Sequence, residues 1–314
     1  MLRLIKGLRI GSLRQNYRKE VVMRKLKLFS IFGLVFLVAV IFGFTGCGLG
    51  PKTGVNYSYY YPDWTSDGKI ICVKKAEGWT ETTPWPFGAP MRSVTSTAYY
   101  ITTMSEEGTQ ETNIKQINSL GKVAASPLGN YIAYTEGNYI KVITATGNNV
   151  SVIDTGADIE NIDWAPDESR LVYGSNIDIE TDRVVIINRD GTNKIDIVYG
   201  RTPSWMPTGE ANKIVYSAQD SGRISFYNFM STGTSEISAN GFQFDWHING
   251  EKIFYAYYGI WVINVDGANG QKLVSNSLSF PRISPDGIKL VCGNFSDTGI
   301  WIVNVDGSGL SQIK

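Results

Sequence analysis

The chain has 314 residues, with 29 Lys or Arg and 29 Asp or Glu, but the two signs are unevenly distributed. Residues 1–27 hold nine of the basic residues and one acidic residue, so residues 48–314 carry a net charge of 20 − 28 = −8. An acidic body argues against a nucleic-acid partner, because phosphate recognition needs clustered cations. The single histidine, His247, argues against histidine-based metal sites and catalytic triads.

The N-terminal segment has the features of a secretory signal. A run of 17 residues without charge, Leu28–Phe44, follows the basic stretch and leads into small residues. This order is typical of a signal peptide, and we expect one, as a helix, over residues 1–46. A permanent transmembrane helix is the alternative, although 17 residues is at the short limit for spanning a bilayer. Met23 can start a complete signal by itself, which would make residues 1–22 an upstream extension.

The segment Phe44-Thr45-Gly46-Cys47 resembles the bacterial lipobox, apart from Phe44, where leucine is usual. The resemblance implies cleavage before Cys47, lipidation of its thiol, and anchoring to a bacterial membrane outside the cytoplasm. The location would be the outer membrane or periplasm in a diderm and the cell surface in a monoderm. Several acyl chains hold a protein stably, whereas a single chain holds it weakly. Residues 47–54 would then be the lipidated cysteine and a flexible tether.

One pattern recurs six times after the tether. In all six copies a turn leads into an apolar strand ending in Tyr or Cys. A later strand ends in Asn in four copies and has looser versions at Tyr99–Thr102 and Tyr139–Ile143, and an Asp-Gly turn follows in three. The equivalent turn positions are 66, 127, 166, 207, 248 and 285, with spacings of 61, 39, 41, 41 and 37. Short strands with a period near 40 residues are typical of a β-propeller, whereas an open sandwich does not need six equivalent copies. We therefore predict an all-β fold over residues 55–314: a six-bladed β-propeller of four-stranded antiparallel blades.

These motifs resemble the TolB-type propeller repeat over residues 57–314, most closely at Ser284-Pro285-Asp286-Gly287 and Asn304-Val305-Asp306-Gly307-Ser308. The resemblance implies a six-bladed ring. TolB carries a separate α/β domain before its propeller, for which the tether leaves no room, so the resemblance is to the propeller module. A closed ring hides strand edges. We expect strands from Val55–Tyr61 and Leu310–Lys314 to complete one shared blade.

Residues that recur with the repeats are expected to serve the fold. Cys72 and Cys292 occupy the strand position that Tyr fills in the other four repeats. A disulfide is permitted by secretion, but equivalent positions in adjacent blades exceed the ~7 Å Cα limit, so we expect two buried thiols. His247 is expected to flank a turn. The repeating aspartates are expected to cap their own turns rather than bind a cation: Asp67, Asp167, Asp190, Asp266, Asp286 and Asp306.

The first spacing, 61 instead of about 40, places about 20 extra residues between two strands of the first repeat. Long loops on a regular scaffold are where function concentrates. Trp, Phe, Met and Arg are enriched at binding interfaces. The candidate binding loop therefore contains Trp79, Trp85, Phe87, Met91 and Arg92. The alternative is a lid that packs its aromatic residues back on the propeller.

The sequence favours a monomeric, lipid-anchored binding or interaction module without a cofactor or a metal. Its expected partners are the membrane, through Cys47, and a protein or carbohydrate ligand. A propeller-face lyase or hydrolase acting on a polysaccharide is the first alternative, because paired carboxylates cannot be separated from turn aspartates by sequence. The second alternative is a structural component of a TolB-type envelope complex. No Gly-x-Ser-x-Gly elbow is present.

Overall fold

The computed structural model describes residues 51–83, 89–155, 159–178, 181–208, 213–275, 277–294 and 299–314. The expected signal peptide, Cys47, Trp85 and Phe87 lie outside the described residues. The chain divides into two compact units, the first of residues 1–52 and 81–91 and the second of residues 53–80 and 92–314. The described part of the first unit is residues 51–52, 81–83 and 89–91, of which residues 52, 81, 82 and 91 lie at ends of strands.

The described chain is all strand and turn. The first two sheets contain β1 (Lys52–Trp64), β2 (Ile70–Thr82), β3 (Met91–Met104) and β4 (Thr112–Ile117), then β5 (Val123–Ala125), β6 (Tyr131–Glu136), β7 (Tyr139–Thr144) and β8 (Ser151–Thr155). The last two contain β16 (Phe242–Trp246), β17 (Lys252–Ala256), β18 (Ile260–Asn264) and β19 (Gln271–Val274), then β20 (Leu278–Ile283), β21 (Lys289–Asn294), β22 (Trp301–Asn304) and β23 (Ser311–Gln312). Within each sheet the strands lie in chain order, so every connection is between neighbours.

The middle of the chain forms a single seven-stranded sheet. Its strands are β9 (Ile159–Trp164), β10 (Arg170–Asp178), β11 (Thr181–Asn188), β12 (Ile195–Trp205), β13 (Lys213–Ala218), β14 (Arg223–Asn228) and β15 (Gly233–Asn240). Strand β12 pairs with β11 through residues 195–199 and with β13 through residues 200–205. The described residues therefore form five sheets rather than six separate ones, because no turn interrupts β12 between its two partners.

The sheets can be divided into six four-stranded groups, in which β12 closes group three and opens group four. Among the described residues, six hydrophobic clusters lie between these groups. Five clusters join consecutive groups, and the sixth joins group six to group one. Tyr134, Tyr173, Tyr216 and Tyr255, which share one strand position, are all buried in these clusters. The hydrophobic core of the second unit therefore runs as a closed cycle between the groups.

The expectation that the first and last segments complete one shared blade is wrong. Strand β1 pairs with β2 in the first sheet, and β23 pairs with β22 in the last sheet. Each of these sheets already has four strands from consecutive chain segments, so the two groups meet through side chains instead of hydrogen-bonded strands. The Tyr59 hydroxyl donates to Glu111 Oε2 over 2.8 Å, and Lys314 Nζ lies 3.3 Å from the same oxygen.

The structural roles expected for the recurring residues are confirmed. Cys72 and Cys292 are free and buried in different clusters, and burial raises the pKa of both thiols. His247 lies in a turn, with Nδ1 2.7 Å from Asn249 Oδ1. The expected aspartates accept hydrogen bonds within their own turns, as Asp306 does from Ser308. Within the described ranges, no helix has the length and apolar character needed to cross a membrane.

Candidate functional site

The first strands of the six groups place one equivalent residue each beside the ring axis. This position immediately precedes the tryptophan, or its replacement, before the turn of each repeat. We call it the hub position. It alternates between carboxylates and small residues until the sixth group, where an arginine stands: Asp63, Ala124, Asp163, Ser204, Asp245 and Arg282.

The three hub carboxylates join neighbouring groups through the backbone. Each accepts the N–H of the tryptophan that follows it and a second N–H from the next group. Asp245, for example, accepts from Trp246 N over 2.9 Å and from Ile283 N over 2.6 Å. The Trp246 indole donates in the opposite direction, to the Ser204 carbonyl of the preceding group over 3.2 Å. The Asp-Trp pair therefore connects its own strand to both neighbours.

Arg282 is the cation that faces these carboxylates. Its side chain is 9% exposed, with Nε 3.9 Å from Asp63 Oδ1 and Nη1 3.8 Å from Asp163 Oδ1. Nη2 donates to Asn161 Oδ1 and to the Ile162 carbonyl, both over 3.2 Å. One guanidinium thus contacts groups one and three from group six. Its fixed set of five donors allows several directions to be satisfied at once.

Burial and charge move the pKa values of the hub in opposite directions. Burial raises the pKa of Asp245 to about 7, against the attraction of Arg282, and Asp163 and Asp63 add repulsion. Burial likewise raises the pKa of Asp63. For Arg282, burial acts to lower the pKa, but the three carboxylates outweigh it and the pKa is raised. Three carboxylates around one cation therefore leave Asp245 poised to bind a proton near neutral pH.

Asp245→Asn is expected to flatten the pH dependence of stability. A raised carboxyl pKa means that the folded state holds the proton more tightly than the unfolded state. That contribution is complete below the ordinary pKa of 3.8 and is lost as pH rises through about 7. The asparagine is neutral at every pH, so the free energy of unfolding of the variant should rise relative to wild type between about pH 4 and pH 8.

Denaturant unfolding across that pH range provides the measurement. Asp286→Asn is the control, because hydrogen bonds from Ser284 and Ile288 lower the pKa of Asp286 below its ordinary value of 3.8, so its difference from wild type should not change between pH 4 and pH 8. Its contribution is present above the ordinary pKa and lost as pH falls. A difference between Asp245→Asn and wild type that stays constant with pH would contradict the role assigned to Asp245.

A cavity of about 570 Å³ opens next to the hub. A void of about 20 Å³, lined by Arg282 and Asn161, shares Tyr61, Lys122, Gln243 and Phe280 with it. The small void beside Arg282 therefore adjoins the cavity. The cavity is lined by aromatic, amide, hydroxyl and charged side chains, including Tyr61, Lys122, Glu160, Arg201, Thr202, Ser217, Gln219, Asn240, Phe242, Gln243, Tyr257 and Phe280.

The wall of this cavity is strained. Tyr61, Thr202, Gln243 and Phe280 have φ of 51°, 49°, 54° and 55°, and each stands two residues before a hub position. Left-handed backbone is unfavourable for side chains of this size, and proline after three of them restricts the backbone further. Register shifts of β12, β16 and β20 fall at this position, so the left-handed backbone belongs to a β-bulge that recurs with the repeat.

The strained residues contact one another around the axis. Thr202 Oγ1 accepts from Gln243 N over 3.1 Å, and Gln243 Oε1 accepts from Phe280 N over 3.0 Å. The Phe280 ring packs edge-to-face on Tyr61 at 5.0 Å between centroids, and Lys122 Nζ lies 4.6 Å from the Tyr61 ring centroid. The left-handed backbone thus places four side chains from four groups in one continuous wall, which Lys122 extends into group two.

The lining of the cavity offers both apolar surfaces and polar groups to a ligand. Aromatic rings provide flat apolar surfaces, and amides, hydroxyls and Lys122 provide hydrogen-bond partners. Glu160 is the acidic residue among the described lining residues. The described part of the chain contains no group of three His, Cys, Asp or Glu side chains placed to hold a metal ion.

The expected binding loop is a hairpin formed by two long strands, β2 and β3. Trp79 lies on β2, where its indole donates to Asn56 Oδ1 over 3.2 Å. The Arg92 guanidinium lies 3.9 Å from the Trp79 ring centroid, so these two expected residues do meet. Met91, in the first unit, is 65% exposed. Residues 75–82 and 91–98 therefore lie in strands, while Trp85 and Phe87 fall outside the described residues.

Sequence reasoning missed the hub and the cavity wall. The signal for the hub was an aspartate directly before the tryptophan in three of the four repeats that have one, with Arg282 at the same position in the sixth. The signal for the wall was the dipeptide X-Pro before the hub, in Tyr61-Pro62, Thr202-Pro203 and Phe280-Pro281. Neither pattern reveals that these side chains converge, because convergence depends on ring geometry.

No family model matches the sequence, and no curated protein matches it. Among solved structures, TolB from Acinetobacter baumannii is 11% identical with a TM-score of 0.59, covering 81% of this chain and 78% of that one. A TolB-type protein from Agrobacterium tumefaciens is 15% identical with a TM-score of 0.57, covering 65% and 84%. An oligogalacturonate lyase in complex with manganese is 13% identical with a TM-score of 0.52, covering 85% and 84%. At these identities the similarity concerns the fold, and the chain has the TolB-like propeller fold.

Proposed function

We propose that this protein is a lipid-anchored, extracytoplasmic propeller that binds a protein or glycan ligand at its axial cavity without catalysis. Residues 1–46 would be removed as a signal peptide, Cys47 would carry the lipid, and residues 47–54 would be the tether. The basic stretch, the apolar run Leu28–Phe44 and the following Thr45-Gly46-Cys47 support this attachment.

We infer that the propeller has six blades. The closed cycle of six hydrophobic clusters supports this count, because a cycle of six interfaces joins six bodies. The seven-stranded sheet fits the same count when β12 is the last strand of blade three and the first strand of blade four. The alternation of hub residues around the axis follows the same six positions.

The axial cavity is the observation that carries the proposed binding function. Its volume of about 570 Å³ is within the range of small-ligand sites, and it combines aromatic surfaces with a few polar groups. The left-handed residues of its wall recur at one repeat position, and this recurrence places side chains from four groups around the opening. Both a glycan chain and a polypeptide segment present the mixture of flat apolar surfaces and hydrogen-bonding groups that this lining would recognise.

The experiment compares the full-length protein with Tyr257→Ala, in which a cavity residue is truncated. Tyr139→Ala is the matched control, because Tyr139 is 48% exposed and Tyr257 is 37% exposed, but only Tyr257 lines the cavity. Binding is measured by pull-down from envelope extract, with separate protein and glycan fractions. Loss of an aromatic contact should weaken retention of the ligand about tenfold, a change of about 1.4 kcal/mol. The control should retain the ligand as wild type does.

A third variant separates the cavity from the hairpin. It carries Trp79→Ala, Trp85→Ala and Phe87→Ala together. Loss of the ligand in this variant, with retention in Tyr257→Ala, would place binding on the hairpin and overturn the proposed cavity site.

A polysaccharide lyase or hydrolase is the second candidate, favoured by the fold similarity to oligogalacturonate lyase. If wild type cleaves the bound glycan and new reducing ends appear, the protein is an enzyme rather than a binding module. A structural role in a TolB-type envelope complex rests on fold similarity alone. Co-purification of an envelope protein whose retention is independent of Tyr257 would favour that role.

A further inference from the structure

Three strands of the first sheet continue well beyond their group. Strand β4 pairs with β3 only through Tyr99–Thr103, so the earlier part of β3 projects past β4. Together, residues 53–58 of β1, 75–80 of β2 and 92–98 of β3 form a three-stranded projection, which we call the extension. All of these residues belong to the second unit. Contacts of Trp79 with Asn56 and Arg92 join the three strands at its outer part.

The chain enters the extension at its outer end. Because β1, β2 and β3 are neighbours in chain order, Thr53 lies at the same end as Thr80 and Arg92. The apolar run ends at Phe44, which is 53 − 44 = 9 residues before Thr53. A fully extended segment of nine residues spans at most about 30 Å. From Cys47 the distance is 53 − 47 = 6 residues, or about 20 Å. An intact transmembrane helix and a lipidated Cys47 therefore both hold the outer end close to a bilayer.

The extension has a surface suited to a bilayer. Val55, Tyr57 and Val94 are 51%, 56% and 61% exposed, so the extension presents three apolar side chains to its surroundings. Arg92 covers the Trp79 ring among them. A tryptophan with a polar edge, exposed apolar side chains and a cation match the interface between lipid headgroups and acyl chains.

We propose that the outer end of the extension lies on the phospholipid surface, with Trp79, Arg92 and Val94 among the headgroups. This inference rests on the membrane attachment in the proposed function. The axial cavity is lined where second strands end, by Ser217 and Ala218 of β13 and by Tyr257 after β17, and the extension continues the second strand β2. The cavity therefore opens towards the bilayer. Six residues of strand between Lys74 and Thr80 set its distance from the lipid at about 20 Å.

The experiment places a fluorescent label on each side of the propeller in full-length protein. Val94→Cys reports on the extension, and Leu128→Cys, 64% exposed in the turn between β5 and β6, reports on the opposite face. Cys72 and Cys292 are buried and escape the label. Wild-type protein is labelled by the same procedure as a control, which measures any reaction of the label with Cys47.

Each labelled protein is reconstituted into vesicles of phosphatidylethanolamine and phosphatidylglycerol, with and without headgroup-region spin-labelled lipid. The Val94 label should lose at least about half of its fluorescence, since interfacial side chains lie about 5–10 Å into the headgroup boundary. The Leu128 label should be unaffected. Two results would overturn this inference without contradicting the membrane attachment. One is equal quenching at both positions, and the other is no quenching at Val94 in protein that floats with the vesicles. Protein that fails to float would overturn the attachment and the inference with it.

Discussion

Arg282→Met is expected to lower the free energy of unfolding by about 3–5 kcal/mol at pH 8, because it leaves buried carboxylates without their cation. Methionine has a similar length, so the loss reflects charge more than volume. The guanidinium is 9% exposed and faces Asp63 and Asp163, while its electrostatic effect reaches Asp245. The measurement is denaturant unfolding of variant and wild type under identical conditions.

A second property separates the charge effect from lost packing. Without Arg282 the hub carboxylates should take up protons more readily in the folded state, so the destabilisation should shrink as pH falls towards about 5. Arg223→Met is the control, because Arg223 pairs with Glu236 at the surface and its side chain is 52% exposed. That variant should lose less than about 1 kcal/mol. A loss at Arg282 no larger than that at Arg223 would contradict the role of the hub.

Trp246→Ala is expected to cost about 3–5 kcal/mol of folding free energy, the range for truncating a fully buried aromatic side chain. Trp246 is 1% exposed and packs on Phe226, with 5.8 Å between ring centroids. Its indole also satisfies the buried Ser204 carbonyl of the preceding group. The substitution therefore removes both the packing of the ring and a hydrogen bond that links groups four and five.

Two further variants separate the contribution of ring packing from that of the hydrogen bond. Trp246→Phe keeps most of the ring but leaves the Ser204 carbonyl unsatisfied, and should cost about 1–3 kcal/mol. Trp261→Ala, on β18 of the same sheet, removes a half-buried indole that donates to the Tyr257 carbonyl over 2.8 Å. Thermal and denaturant unfolding should rank Trp246→Ala as the most destabilised of the three. Equal losses at Trp246 and Trp261 would show that the connection between groups contributes little.

The sequence by itself determined the all-β repeat fold and the residues that recur with it. A turn, an apolar strand and an Asp-Gly turn at a period near 40 residues depend on local backbone and on side-chain alternation, which can be read without coordinates. The burial of Cys72 and Cys292 followed from the tyrosines at the same strand position. The pattern predicts a loop around Trp79 and Arg92, although the structure has them in strands, because no other repeat serves as a template for the added segment.

The tertiary structure alone decided how the ring closes and what lines its axis. Each strand pairs with a strand next to it in the chain, but the sequence does not specify where one sheet ends and the next begins. It therefore could not show that β1 and β23 remain in separate sheets, or that β12 belongs to two groups. The axial hub joins Arg282 to Asp63 across 282 − 63 = 219 residues of sequence, and no local pattern encodes that distance. Convergence at the axis follows from closing the cycle of groups, which brings the first strands of all six together. The cavity and its strained wall exist only after that closure.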